Sequence, residues 1–130
     1  MRILLAEDDF VTRKFMMNFL SKYGECDVTV DGMEAVDAFM MALEEEEPYD
    51  LVCLDIMMPV MDGYQALQGI RNIEKERNIP EDEAVKVIMA TALNEERNVK
   101  MAFDLGCTIY SGKPIDQEKF EQALKKLGLI

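Results

Sequence analysis

Asp50-Leu51-Val52-Cys53-Leu54-Asp55-Ile56-Met57-Met58-Pro59-Val60-Met61-Asp62-Gly63 is the stretch that decides the fold of this chain. Leu51 to Leu54 are apolar in succession with no polar alternation, the pattern of a strand covered on both faces, as in parallel sheets. Asp55 closes the run. In open α/β sheets the carboxyl edge of the strands is where ligands and chemistry gather. Pro59 fixes its own φ and biases Met58 towards an extended conformation, and Asp62-Gly63 is turn chemistry leading into a helical pattern. A lone aspartate at a strand end ordinarily serves as a cap; the polar residues elsewhere in the chain give Asp55 another meaning.

Outward from that stretch, strand and helix signals alternate. Arg2 to Ala6 is a short apolar strand stopped by Glu7-Asp8-Asp9, and Val11, Phe15, Met16, Phe19 and Leu20 recur at helical spacing before Gly24. Cys26 to Val30 alternates and reads as a second strand nearer an edge. Asp31-Gly32 opens a helix with Ala35, Val36, Phe39, Met40 and Leu43 inward, and Glu44 to Glu47 reads as its solvated end. After the central strand come a helix from Tyr64 to Arg77, with Leu67, Ile70 and Ile73 inward, and a polar loop, Asn78 to Ala84. Val85 to Ala90 is a fourth strand ending in Thr91. Asn94 opens a helix carrying Val99, Met101, Ala102 and Phe103, stopped by Gly106. Cys107 to Tyr110 is a fifth strand running to Ser111-Gly112-Lys113-Pro114, and Asp116 caps a last helix that buries Phe120, Ala123, Leu124 and Leu127. Five strands alternating with five helices through right-handed crossovers predict a doubly wound, three-layer α/β domain over residues 1–130.

Composition narrows the function. A chain of 130 residues, 49% hydrophobic and 31% charged, is one ordinary globular domain. No membrane span or signal peptide is expected, because Ile3 to Ala6 is short and meets acids at once. Twenty-six acids against 14 bases give a net charge of -12, which repels a nucleic-acid backbone and points to proteins or cations as partners. Cys26, Cys53 and Cys107 form no CxxC and read as reduced cytoplasmic thiols. The absence of histidine removes every Ser-His, Cys-His and His-metal arrangement.

In such a fold all strands end at one edge, so Glu7-Asp8, Asp55, Thr91 and Lys113 converge. Crowded carboxylates repel unless a cation joins them. Oxygen ligands without histidine or thiolate select a hard ion, and Mg²⁺ fits best in a cytosol.

These residues resemble the receiver domains of two-component response regulators, of the single-domain chemotaxis type. The resemblance rests on Glu7-Asp8 after the first strand, D-x-x-M-P-x-M-D-G from Asp55 to Gly63, Thr91-Ala92, and Lys113-Pro114. It implies the flavodoxin-like strand order 2-1-3-4-5. It further implies that Asp55 is the phosphoacceptor, that Mg²⁺ is held by Asp8, by Asp55, by Glu7 through water and by the backbone carbonyl of Met57, and that Thr91 and Lys113 contact the phosphoryl oxygens. The Lys113-Pro114 bond is expected to be cis, and Thr91 and Tyr110 to form the switch that alters the face of the fourth helix, fifth strand and fifth helix. The expected donor is a phosphohistidine on a sensor histidine kinase or histidine phosphotransfer protein, the expected output an unidentified protein target, and the expected compartment the cytoplasm.

The chain departs from the family pattern at Glu7, where Asp is commoner, at Ser111-Gly112, where an apolar pair is usual, and over Glu74 to Ala84, which is longer and more polar and reads as solvated loop. The apolar Met57 and Leu93 predict a long-lived phosphoryl group. A receiver excised from a larger regulator is the alternative, although the close at Leu-Gly-Leu-Ile without a linker suits a stand-alone switch. An aspartyl phosphatase of the haloacid-dehalogenase type requires a second aspartate at position 57, which is Met.

Overall fold

The structure, a computed structural model, describes residues 1–91, 96–112 and 115–130; for Thr91 and for residues 96–99 only the backbone is described. The strands are β1 (Arg2–Ala6), β2 (Glu25–Thr29), β3 (Leu51–Asp55), β4 (Lys86–Thr91) and β5 (Ile109–Gly112). The helices are α1 (Phe10–Leu20), α2 (Gly32–Glu44), α3 (Gly63–Glu76), α4 (Glu96–Asp104) and α5 (Gln117–Lys126). The strands form one sheet of order β2-β1-β3-β4-β5, parallel throughout, as expected from the sequence.

Strand period 2 divides the core in two. Leu4, Ala6, Val52, Leu54, Val87 and Met89 face a layer holding Phe39, Leu67, Ile70 and Ala102 of α2, α3 and α4. Ile3, Leu5, Leu51, Cys53 and Ile88 face Met16, Phe19, Leu20, Phe120 and Leu124 of α1 and α5. Phe19 meets Phe120 edge to face at 5.3 Å, tying the second layer together. The uninterrupted apolar run of β3 is thus the signature of a central strand with a helix layer on each side.

Asp9, Asp31, Asp62 and Asp116 cap α1, α2, α3 and α5, each carboxylate accepting a backbone N–H three residues on. Asp62 and Gln65 make a reciprocal capping box. At the amino edge, the guanidinium of Arg2 stands 4.7 Å over the Tyr49 ring, pairs with Asp27 at 3.2 Å and donates to the Glu47 carbonyl. The Arg2 amide donates to Asp50, and Tyr49 donates to Asp27 at 2.6 Å. Burial and then that bond push the Tyr49 phenol up from its ordinary pKa.

Several expectations shift. β2 begins one residue earlier than read, and β5 is Ile109–Gly112 instead of Cys107 to Tyr110. Thr108 donates its amide to the Val87 carbonyl and accepts from the Val87 amide through its hydroxyl, so it joins β4 just ahead of the ladder. Ser111 and Gly112, the unusual pair, lie in register with Ala90 and Thr91. α1 ends at Leu20 with Ser21 as its C-cap, before Gly24. A Cβ on Gly24 would stand 1.9 Å from the Met1 carbonyl oxygen, so the glycine serves a close crossing instead of a helix stop. Met40, read as inward, is exposed, as are Val11, Phe15, Met101 and Phe103 of the other helical patterns, because each helix touches the sheet along one narrow stripe. Asn94, read as opening α4, lies outside the described residues. Among the described residues no helix is long and apolar enough to cross a membrane.

The segment read as solvated loop from Glu74 contains a short 3-10 turn, Glu81–Glu83, and starts with a buried charge. Glu74 is 4% exposed. One carboxylate oxygen accepts from the Arg71 guanidinium and the other from the Val85 amide, both at 2.7 Å. Arg71 also donates twice to the Gly106 carbonyl, at 3.2 and 2.7 Å, so the pair staples α3 to the start of β4 and to the turn before β5. Glu74→Ala strands both donors, and the expected cost in urea unfolding is about 3 kcal/mol.

Candidate functional site

The register of β1 against β3 pairs Leu5 with Cys53 and Ala6 with Leu54, so the next step of each chain brings Glu7 beside Asp55. Asp55 continues the Leu51-Cys53 face and therefore sits on the α1 side of the sheet. Glu7 still belongs to the ladder through its amide, which donates to the Thr29 carbonyl at 3.1 Å, and it is 3% exposed; Asp55 is 6% exposed. Asp8, one residue on, is exposed. One carboxylate oxygen from each of Glu7, Asp8 and Asp55 lies within 4.8 Å of the others.

The short loop that carries the first two acids is wired to itself. The Asp9 amide donates to the Glu7 carboxylate at 3.1 Å, while the Asp9 carboxylate accepts from the Thr12 amide and hydroxyl. Arg13, from the first turns of α1, donates to the carbonyls of both Glu7 and Asp8 at 3.2 Å and stacks on Phe10 at 5.5 Å. Sequence reasoning missed Arg13, although a base four residues beyond the helix cap was its available signal. On the other side, the loop after β3 closes through the Gly63 amide, which donates to the Ile56 carbonyl at 2.9 Å. A Cβ on Gly63 would lie 2.4 Å from the Asp55 carbonyl oxygen, so the Asp62-Gly63 turn admits no side chain there.

Two carboxylate oxygens within 4.8 Å of each other repel by at least about 3 kcal/mol at an effective dielectric near 20. A hard divalent cation relieves that repulsion, and the all-oxygen donor set suits one. Mg²⁺ at about 2.1 Å from each ligand needs donors no more than about 4.2 Å apart. The three oxygens, all within 4.8 Å of one another, are close enough to be donors to one such ion.

Of the other expected site residues, Thr91 pairs with Gly112 one step past the Ala90-Asp55 pair, which places its backbone at the carboxyl edge next to Asp55. Met57 turns its thioether to solvent at 63% exposure. Lys113, Pro114 and Leu93 lie outside the described residues. Tyr110 is half-buried against the α2-α3-α4 core, and Tyr64, a residue the sequence reading did not single out, packs against the same core. Burial, and then Tyr110, push the Tyr64 phenol up.

The family model for the response regulator receiver domain matches residues 3–125. The chain belongs to the response regulator receiver family. The receiver is 33% identical over 120 residues to chemotaxis protein CheY of Treponema pallidum, covering 91% of this chain and 76% of that protein. It is 32% identical over 126 residues to the probable transcriptional regulator ycf29 of Porphyra purpurea, covering 96% of this chain. It spans only 55% of that regulator and 12% of a probable histidine kinase from rice. Among solved structures, it is similar to a chain of the CheX–CheY–BeF3–Mg complex from Borrelia burgdorferi, with 29% identity and a TM-score of 0.82 over 98% of this chain and 88% of that one. It is also similar to the receiver domain of the sensor histidine kinase PA1611 from Pseudomonas aeruginosa, solved with magnesium in its active-site cleft, with 27% identity and a TM-score of 0.77 over 96% and 94%. The family is one of phosphorelay switches, not of turnover enzymes.

Asp8→Asn removes one of three crowded charges. It is expected to raise the urea midpoint in EDTA and to shrink the further gain that the wild-type receiver draws from millimolar Mg²⁺. Unfolding curves with and without the ion check both signs.

Proposed function

We propose that Asp55 of this receiver accepts a phosphoryl group from a phosphohistidine on a sensor histidine kinase or histidine phosphotransfer protein. The observation that carries the reading is the meeting of Glu7, Asp8 and Asp55 oxygens at the carboxyl edge of a receiver sheet. An Asp55 oxygen forms the new bond to phosphorus in line with the breaking phosphorus–nitrogen bond. The imidazole leaves with that electron pair and takes a proton from solvent. Asp8 and Asp55 hold Mg²⁺ directly, Glu7 does so through water, and the Met57 carbonyl completes the protein's share. The bound ion supplies neutralising charge to the phosphoryl oxygens. The Lys113 ammonium and the Thr91 hydroxyl contact the same oxygens, with Lys113-Pro114 in the cis form.

Neither Met57 nor Leu93 carries a group that could orient an attacking water, so the acyl phosphate is long-lived in this reading. Thr91 and Tyr110 relay the change to the α4-β5-α5 face, where the exposed Met101 and Phe103 offer a protein target apolar contacts. The domain works in the cytoplasm and, at a net charge of -12, leaves nucleic acid to other proteins or domains. The longer relatives carry the same module within larger chains, which keeps a regulator with an output domain as the second reading.

The mouth of the site is apolar. Phe10 (65%) and Val11 on one side, and Met57 and Val60 (77%) on the other, are exposed around the acids. Val60 is also strained, since its φ of 69° is a left-handed conformation that costs a β-branched residue about 1–2 kcal/mol. An apolar collar around a charged centre suits a donor helix that presents a phosphohistidine amid aliphatic side chains.

Incubation with acetyl phosphate and Mg²⁺ is expected to add the mass of one phosphoryl group to the wild-type chain and none to Asp55→Asn, with a lifetime far beyond seconds. Val60→Gly is expected to stabilise the fold by about 1 kcal/mol and yet slow transfer from a phosphotransfer protein, leaving transfer from acetyl phosphate unchanged. Unfolding curves and donor kinetics read the two effects separately.

A further inference from the structure

We propose that the amino edge of the domain, at the opposite pole from Asp55, carries a docking pocket for a basic segment of a partner protein that inserts one bulky apolar side chain. The inference goes beyond the receiver reading and does not depend on it. Two acidic stretches to which the phosphoryl chemistry gives no part, Glu44 to Glu47 and Glu81 to Glu83, flank one pocket of about 290 Å³. Phe39 and Leu43 of α2, Pro48 and Tyr49 before β3, and Ile79 and Val85 before β4 make its apolar wall. Glu47 adjoins Pro48, and Glu83 itself lines the rim. Phe39, Tyr49 and Val85 are buried and fix the floor. Tyr49 is held from both sides, its hydroxyl donating to Asp27 at 2.6 Å and its ring lying 4.7 Å beneath the Arg2 guanidinium. The buried Glu74 carboxylate in the wall is engaged by Arg71 and the Val85 amide, so it makes no demand on an occupant.

The rim is charged with one sign. Glu44 pairs with Arg77 at 3.7 Å and Glu47 with Arg2 at 4.0 Å. Among the described residues no ion pair engages Glu45, Glu46, Glu81, Asp82 or Glu83, and all five are exposed. Glu45 and Glu46 stand at the carboxyl end of α2, which has no base in its last turn, so their charge opposes the helix dipole. Glu46 also closes that helix at a φ of 60°, a conformation glycine adopts with less strain. These acids do nothing for the fold, and they suit a cation brought from outside. Their sign repels nucleic acid and an anionic membrane, and at a net charge of -12 it disfavours a second copy of this chain. The complementary surface is a segment that sets Lys or Arg on both sides of an aromatic or branched aliphatic anchor.

The full chain labelled with 3-fluorotyrosine has four fluorine resonances, and Tyr49, assignable by Tyr49→Phe, reports on the pocket while Tyr23, Tyr64 and Tyr110 serve as controls. The probe is a short capped peptide of Lys and Ala with one central Phe, titrated in EDTA so that the acids around Asp55 hold no ion. It is expected to shift the Tyr49 resonance, to leave the other three in place and to bind more weakly as salt is raised. A peptide with Ala in place of Phe is expected to bind about tenfold more weakly, and one with Glu in place of Lys not at all. In the double variant Glu45→Lys, Glu83→Lys, affinity for the Phe peptide is expected to fall about fivefold or more. The urea midpoint of that variant should hold or rise, since a base suits the carboxyl end of α2, which separates lost binding from lost folding. An unmoved Tyr49 resonance at millimolar peptide, equal affinity for the Phe and Ala peptides, or full affinity in the double variant overturns the docking pocket. A Tyr49 resonance that moves with the concentration of the chain alone, together with sedimentation as a dimer, assigns the pocket to a second copy and overturns it as well.

Discussion

Like charge held at close range is the constraint from which the rest of this molecule follows. β1 and β3 are neighbours in register, so the residues that end them cannot avoid each other, and both are acids. The fold tolerates this because each acid is tied down from behind. Glu7 is anchored by its amide to β2 and by its carboxylate to the Asp9 amide, and Asp55 ends a strand buried on both faces. The residual repulsion is what a divalent cation between the acids would relieve. A sheet that relaxed by even one residue of slip would send Glu7 to the other face and dissolve the site.

Much of this was legible in the residues themselves. Leu51 to Leu54 announced a central strand, the alternation of Cys26 to Val30 announced an edge, and the common strand edge brought Glu7, Asp8 and Asp55 together on topology alone. What stayed hidden was whatever depends on direction in three dimensions. The stripe of α2 was drawn too wide, so Met40 was counted as inward when it lies at the surface. Glu74 looked like the start of a polar loop because its partners are Arg71, an ordinary helical neighbour, and a backbone amide eleven residues away that leaves no mark in side-chain pattern. Tyr64 was invisible for a related reason, since the core it packs against is assembled from strands and helices distant in sequence. β5 slid by two residues because Ser111 and Gly112 have poor strand propensity, which pairing with β4 overrides.

The collar around the site separates two kinds of selectivity. On the proposed reading, charge at the centre would decide the chemistry, and the exposed Phe10, Val11, Met57 and Val60 would decide which surfaces come close enough to take part. The strain at Val60 is instructive here, because glycine or asparagine would occupy that backbone with less penalty. An apolar side chain kept at such a position has its use outside the folded monomer.

The amino edge handles the same electrostatic problem by a different means. There, too, acids crowd together, yet Arg2 supplies a counterion that is part of the polypeptide and pinned over Tyr49. One pole of the sheet thus carries a counterion of its own, whereas the crowded acids of the other offer oxygens to a cation from solution. On the proposed reading a chelator would act at that end alone and leave the scaffold at the amino edge untouched.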